Sequence, residues 1–486
     1  MSLTILSDEV ISALLENLTR EEAESFQDGL KTALHEYSTG TQAVGTSLYN
    51  QPARISTYSE QTGATTMYMP SCSPAGNAVK VVTVSSPSDD NPSLPAIRPT
   101  GSLTLYSPEG NPVGFLHAQT LTAFRTALAS SCLLAKRATV RTVTVFGAGL
   151  QAYWHIRLAL LLRGSTIRTV NIINRQFSDN ARTILKKFYA VPLDVKEREG
   201  WDQAQFSLLT PGYGEYERLQ KEYIRDADVI YCCTPSTTAL FDAGILTSRE
   251  GRKKGRLVVA IGSYSKDMRE LPRDLLTQAT KTHEKGHLHY HKHATEGGVI
   301  VVDSLDGALK EAGELIDAGL GPKQLVELGE LIMIRRLAIE EDETQSTADT
   351  DSVTESFDKL DIDSTTSATS SSKHSSSRSP SRASSSGTGE SYSSSLGGLT
   401  SHLPSILNPH HHSHHSHSHK RSGSHADGEK KRNDHLARWL TSGNVIYKSV
   451  GLGLMDLVVG FRLIELANAK NVGGRVEDFS PKSGSG

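Results

Sequence analysis

Hydrophobic and polar positions change period along the chain, and the sharpest change falls between Arg141 and Arg175. Thr142-Val143-Thr144-Val145-Phe146 is a β-branched run that reads as a fully buried strand. It enters Gly147-Ala148-Gly149-Leu150-Gln151-Ala152, which opens a helix carrying Ile156, Leu158, Ala159, Leu161 and Leu162. After Gly164, a second apolar run, Thr169–Ile173, ends at Asn174-Arg175. Strand, glycine turn, helix and strand within roughly 30 residues make a βαβ unit.

Upstream, Ile11, Leu14, Leu15 and Leu18 have helical spacing, and Thr19 with Glu22 forms a capping box for a second helix carrying Ala23, Phe26, Leu30 and Ala33. Two helices therefore precede the strands of a mixed α/β region. Val79–Val84 is a short β-rich run containing Lys80, and Leu103–Tyr106 and Val113–Leu116 flank the hairpin turn Ser107–Asn111. Thr120 starts an alanine-rich helix with Arg125 in its first turn, where a cation opposes the helix dipole and calls for an anion. That anion is a nearby acid, or a substrate carboxylate held jointly with the helix N–H groups. Downstream, 194–223 gives no clear pattern, whereas Val229–Cys233, Leu257–Ile261 and, as the last strand, Val299–Asp303 are buried runs. Residues at the carboxyl ends of parallel strands face the ligand crevice. Thr234, Pro235, Ser236, Gly262 and Ser263 are placed there, against whatever ligand the crevice binds.

Composition limits how much of the 486 residues can fold. Ser346–Gly428 is dominated by Ser, Thr, His and Gly and reads as a disordered insert, because it offers too little apolar surface to offset ordering entropy. Apolar periodicity returns over Ile446–Ala467, so the insert interrupts a domain. The formal net charge of -3 argues against a nucleic-acid binder, and no apolar run reaches the ~18 residues of a membrane span. The first ten residues lack the basic region of a signal peptide. Cys72, Cys132, Cys232 and Cys233 show neither zinc spacing nor a disulfide framework, which fits a reducing, cytoplasmic setting. Neither His283, His287, His289, His291 and His293 nor His410–His419 has the fixed, mixed spacing of a structural metal site, and no metal is assigned. Ser377-Arg378-Ser379-Pro380 is of a composition that accepts phosphorylation.

Glycine in the turn has a chemical reason. Gly147 permits the tight turn, Gly149 lets backbone approach a pyrophosphate, Ala152 lets the helix pack close, and the helix start at Leu150 and Gln151 offers N–H groups to phosphate. Where an NAD site carries an acid on the second strand, this chain has Asn174-Arg175. A guanidinium suits a 2′-phosphate, so NADP(H) is preferred, with NAD(H) as the alternative.

Arg125-Thr126-Ala127, Gly147–Ala152, Thr234-Pro235-Ser236, Ala260–Tyr264, Arg269-Glu270-Leu271, Val302-Asp303-Ser304, Glu311–Leu315 and Lys448–Gly451, in this order, resemble the ornithine cyclodeaminase/μ-crystallin family. The resemblance implies an α/β fold in which a Rossmann dinucleotide-binding domain (138–320) is inserted into a mixed α/β substrate and dimerisation domain. The latter comprises 1–137 with a return over 321–340 and 435–480, interrupted by the disordered 341–434. It also implies a homodimer and chemistry at a carbon–nitrogen bond beside a carboxylate. Carried over, Arg125 matches the carboxylate-binding arginine, Lys80 the lysine that contacts the same carboxylate and helps in proton transfer, and Arg54 the second arginine. Cyclodeaminases of the family carry an aspartate where this chain has Tyr264, and Gly262–Leu271 resembles the μ-crystallin pattern instead, with Asp267 in register. The resemblance therefore implies an NAD(P)H-dependent oxidoreductase of a small amino or imino acid, of the ketimine reductase or amino-acid dehydrogenase type. Lys80 and Arg125 are its catalytic pair. The alternatives are ornithine cyclodeaminase and a non-catalytic NADPH-dependent binding protein.

Overall fold

The computed structural model describes residues 2–40, 48–85, 97, 99–281, 298–332 and 436–479. The predicted insert, both histidine groups and Ser377–Pro380 lie outside them. Two sheets organise the described chain. The first has the order β15-β1-β6-β5-β4-β3-β2, with β1 Leu3–Leu6, β2 Ile55–Ser59, β3 Ala64–Ser73, β4 Gly76–Val84, β5 Thr100–Tyr106, β6 Pro112–His117 and β15 Gly474–Val476. It is antiparallel except where β1 lies parallel to β6. The second is wholly parallel, in the order β13-β12-β14-β11-β10-β7-β8-β9. Its strands are β7 Thr142–Phe146, β8 Thr169–Ile173, β9 Gln205–Leu209, β10 Val229–Cys232, β11 Leu257–Ala260, β12 Val299–Val302, β13 Leu325–Glu327 and β14 Val445–Lys448.

Local chemistry explains the predicted elements. Helix α1 (Asp8–Glu16) buries Ile11, Leu14 and Leu15, and the capping box is formed: Glu22 N–H donates to Thr19 Oγ1 at 3.2 Å and Thr19 N–H to Glu22 Oε2 at 2.9 Å. It opens helix α2 (Arg20–Gly40), whose Ala23, Phe26, Leu30 and Ala33 are buried. The β5–β6 hairpin turns at Ser107–Asn111, with Gly110 at φ +89. β7, helix α4 (Leu150–Arg163) and β8 make the βαβ unit, the two strands pairing in parallel.

Several elements differ from expectation. β1 precedes the two N-terminal helices and pairs with strands far away in sequence, which no local pattern signals. In the stretch without a pattern, β9 forms an edge strand, half-buried along most of its length. Val299–Val302 is not the last strand of its sheet. β13 follows it, and β14, placed by the sequence in the return to the substrate domain, inserts between β11 and β12. The helix after β14, Gly453–Ala469, packs on the mixed sheet, where a Cβ at Gly460 would lie 2.7 Å from Leu103 Cδ2. One C-terminal segment thus completes both layers.

All four residues of β14 are buried and pair on both sides. Deleting residues 436–486 is expected to abolish cooperative thermal unfolding followed by circular dichroism. A truncated chain that still melts cooperatively would contradict this role for β14.

Candidate functional site

β7 connects outward to β8, whereas β10 lies on the other side of β7, so the strand order reverses between β7 and β10. Ligands of open α/β sheets bind outside the carboxyl ends at such a point. Gly147 sits there at φ +103, and a Cβ on it would lie 3.0 Å from both Cys233 O and Thr234 Oγ1. Gly149 is the N-cap of α4, with no side-chain cap. A Cβ at Gly149 would meet nothing within 4 Å, so its free side opens on a cavity of about 510 Å³ lined by Gly149, Leu150, Gln151, Gln119, Thr183 and Lys187. An uncapped helix start beside a roomy cleft fits a pyrophosphate. Ala152, in the first turn of α4, is fully buried. At the end of β8, Asn174 Nδ2 donates to Gln176 O at 2.7 Å, while Arg175 is exposed.

The ends of β10 and β11 are held by a residue not singled out as functional from the sequence. Glu270 is fully buried, and its carboxylate accepts from Thr234 N–H (2.9 Å), Gly262 N–H (2.7 Å) and Ser263 N–H (3.2 Å). It therefore ties the ends of β10 and β11 together. Burial raises its carboxyl to about 8, against the pull of Lys448. Ser263 Oγ donates to Glu314 at 2.8 Å, and Lys448 Nζ donates to Ser263 O at 2.6 Å. Ser236 Oγ caps its own turn, donating to Thr238 O at 2.6 Å, and Pro235 is exposed. Deeper, His155 of α4 meets Ser130 Oγ at 2.9 Å and Gln151 O at 2.8 Å, and burial lowers its imidazole to about 4.

Lys80 and Arg125 come together. Strand alternation on β4 puts Lys80 on the buried face with Ala78 and Val82, beneath the closing helix. Its Nζ donates to Asp456 Oδ1 at 2.9 Å, and Arg125 Nε donates to the same oxygen at 3.2 Å. Burial pulls the Lys80 ammonium down to about 8, with Asp456 opposing and Arg125 reinforcing the shift. Gly451, at φ +88, faces the arginine: a Cβ there would lie 2.8 Å from Nη2. Asp303 fixes that turn by accepting from Ser449 Oγ (2.8 Å), Val450 N–H (3.0 Å) and Gly451 N–H (2.6 Å).

Two expectations change. The helix carrying Arg125, α3, spans Ala118–Leu134, so Arg125 lies two turns inside it rather than in its first turn. The first-turn N–H of Thr120 is taken by Asp8 Oδ1 at 2.8 Å, which removes it from any joint carboxylate site with Arg125. Asp456 supplies the anion. Arg54 is not on this cluster: it forms an ion pair with Glu311 and donates to Tyr264 O at 3.4 Å. Among the described residues, no group of three or more His, Cys, Asp or Glu is placed to hold a metal ion.

The motif resemblance is borne out. Residues 12–196 match the model of the ornithine cyclodeaminase/mu-crystallin family. An uncharacterized protein of Saccharomyces cerevisiae is 28% identical over 49% of this chain and 65% of its own length. A Delta(1)-pyrroline-2-carboxylate reductase of Bacillus cereus is 27% identical over 48% of this chain and 60% of its own. The matches thus span less than two thirds of these relatives. The solved Delta(1)-pyrroline-2-carboxylate reductase of Thermococcus litoralis, in complex with NADH and L-proline, superposes with a TM-score of 0.56 at 16% identity, covering 98% of this chain and 100% of that one. That likeness shows the fold, a Rossmann-type α/β architecture.

The site makes two predictions. His155 is neutral in the fold, so its contribution to stability is present above its ordinary value of 6.5 and is lost as pH falls toward about 4. That amounts to on the order of 3 kcal/mol. Urea midpoints at pH 7 and 4.5 are expected to differ less in His155→Gln than in the unmodified protein. Gly451→Ala combines left-handed strain with a clash at Arg125, and is expected to cost about 1–3 kcal/mol in denaturant unfolding.

Proposed function

We propose that this protein is an NAD(P)H-dependent oxidoreductase that reduces the C=N bond of a small imino acid bearing an adjacent carboxylate. The observation that carries the reading is the convergence of Lys80 and Arg125 on one buried aspartate oxygen. Two cations against one anion leave one positive charge, which a substrate carboxylate would balance. Arg125 meets Asp456 through Nε and only the weak acceptor Met455 Sδ through Nη1, a contact that a substrate carboxylate would displace. Lys80, down at about 8, is an acid suited to protonating the imine nitrogen near neutral pH.

Gly147, Gly149, Leu150, Gln151 and Ala152 would hold the dinucleotide's pyrophosphate, and Thr234, Pro235, Ser236, Gly262 and Ser263 would border its nicotinamide. When bound, the reduced dinucleotide supplies the hydride. Asn174 and the exposed Arg175 would meet the adenosine ribose, and the guanidinium favours NADP(H) over NAD(H). The reading includes a homodimer, supported by exposed Ile55 and Tyr58 on the edge strand β2. It also includes a reducing, cytoplasmic setting, consistent with four free cysteines. No described helix is long and apolar enough to cross a membrane. The name of the Bacillus cereus relative supports a cyclic imino acid as substrate.

The test follows the reduced-nicotinamide absorbance with Δ1-pyrroline-2-carboxylate plus NADPH or NADH, with ornithine plus NAD, and with pyruvate plus ammonia. Turnover of the imino acid is expected, faster with NADPH. kcat/KM should fall as pH rises past about 8, where Lys80 loses its proton. Lys80→Met is expected to lower kcat about 10²-fold or more, and Arg125→Met to raise KM. Proline formed from ornithine would make the protein a cyclodeaminase, and silence in all three assays a dinucleotide-binding protein without turnover.

A further inference from the structure

Asp456 is wholly buried in the first turn of the closing helix, far in sequence from both cations it meets. Its Oδ1 accepts from Lys80 at 2.9 Å and from Arg125 at 3.2 Å, while Oδ2 has no partner among the described residues. One oxygen shared by two cations is a directional constraint on both. It ties down the Nε edge of Arg125 and sets where the Lys80 ammonium points. Met455 Sδ, 3.5 Å from Nη1, and Gly451, where any Cβ would crowd Nη2, fix the remainder of the guanidinium. A buried carboxylate oxygen left without a donor also calls for an account, and a substrate whose nitrogen carries hydrogen would provide a donor.

We propose that Asp456 is the positioning residue of this site, orienting Lys80 and Arg125 as a pair through Oδ1 and leaving Oδ2 for the N–H of a bound imino or amino acid. This rests on the oxidoreductase reading for its ligand, but not for its geometry. Asp456 also keeps Lys80 charged. The groups facing that ammonium are Asp456 itself, from the closing helix, and Arg125, from α3. Removing the carboxylate leaves burial and Arg125 both acting against the proton, so the loss of the ammonium must move to lower pH. A role confined to packing, in which the carboxylate charge does not act on Lys80, would leave that midpoint where it is.

The test uses the full chain with NADPH and pyrrole-2-carboxylate as a planar ring carboxylate, read by quenching of NADPH fluorescence across pH. In the unmodified protein, affinity for the carboxylate is expected to fall past about pH 8. In D456N that midpoint should drop by about one unit or more, with affinity at neutral pH weakened about tenfold. D456E should recover the midpoint, and NADPH binding alone should stay unchanged and serve as the folding control. An unchanged midpoint and affinity in D456N overturn the proposal. If D456N does not fold, D456S carries the same measurement. If pyrrole-2-carboxylate fails to bind the unmodified protein, the oxidoreductase reading is what fails. The proposal is then decided by the titration of the Lys80 signal in ¹³Cε-lysine NMR, assigned with K80R: a lower midpoint in D456N or D456S sustains it, and an identical one overturns it.

Discussion

Two cations buried side by side are the most demanding feature of this chain, because each ion taken out of water costs several kcal/mol unless a counter-charge meets it. Lys80 comes from the core face of a β-strand and Arg125 from the inside of a helix, both nearly closed to solvent. Asp456 is their common counter-charge. The fold must therefore bring the first turn of its last long helix against β4 and α3. The rest of the architecture serves that meeting.

The segment 445–469 does this by belonging to both layers. β14 is pinned between β11 and β12, so its end is fixed to the parallel sheet by backbone pairing. The buried carboxylate of Asp303 grips the following turn at Ser449, Val450 and Gly451, and the helix then lies on the mixed sheet with Asp456 beneath it. Lys448, on the same strand, reaches the chain just past β11 through Ser263. A single stretch thus links the strand ends tied by Glu270 to the cluster on Asp456.

Much of this architecture is legible in the order of the residues. The period of the apolar positions and the turn chemistry point to the capping box at Thr19, the hairpin at Ser107–Asn111 and the βαβ unit around Gly147, since each is decided within a few residues. Elements whose partners lie far away are not legible in this way: β1 and β15 are short segments whose pairing is non-local, and β14 looks like any apolar strand until its neighbours are known. Among site residues, Lys80 and Arg125 stand out as charges inside apolar or alanine-rich runs. Glu270 and Glu314 do not, because an acid in a loop or a short helix carries no local sign that it will be buried.

By itself the sequence determined the glycine turn and what it can cradle, because a missing Cβ and an uncapped helix start are properties of six adjacent residues. It also determined that a lysine and an arginine would sit among apolar neighbours. Tertiary structure alone decided that these two share Asp456, that Arg54 pairs with Glu311 instead, and that Asp8 rather than a ligand caps Thr120. Charge pairing acts over a few ångströms of space, and the residues that satisfied it here are separated by up to hundreds of positions in the chain.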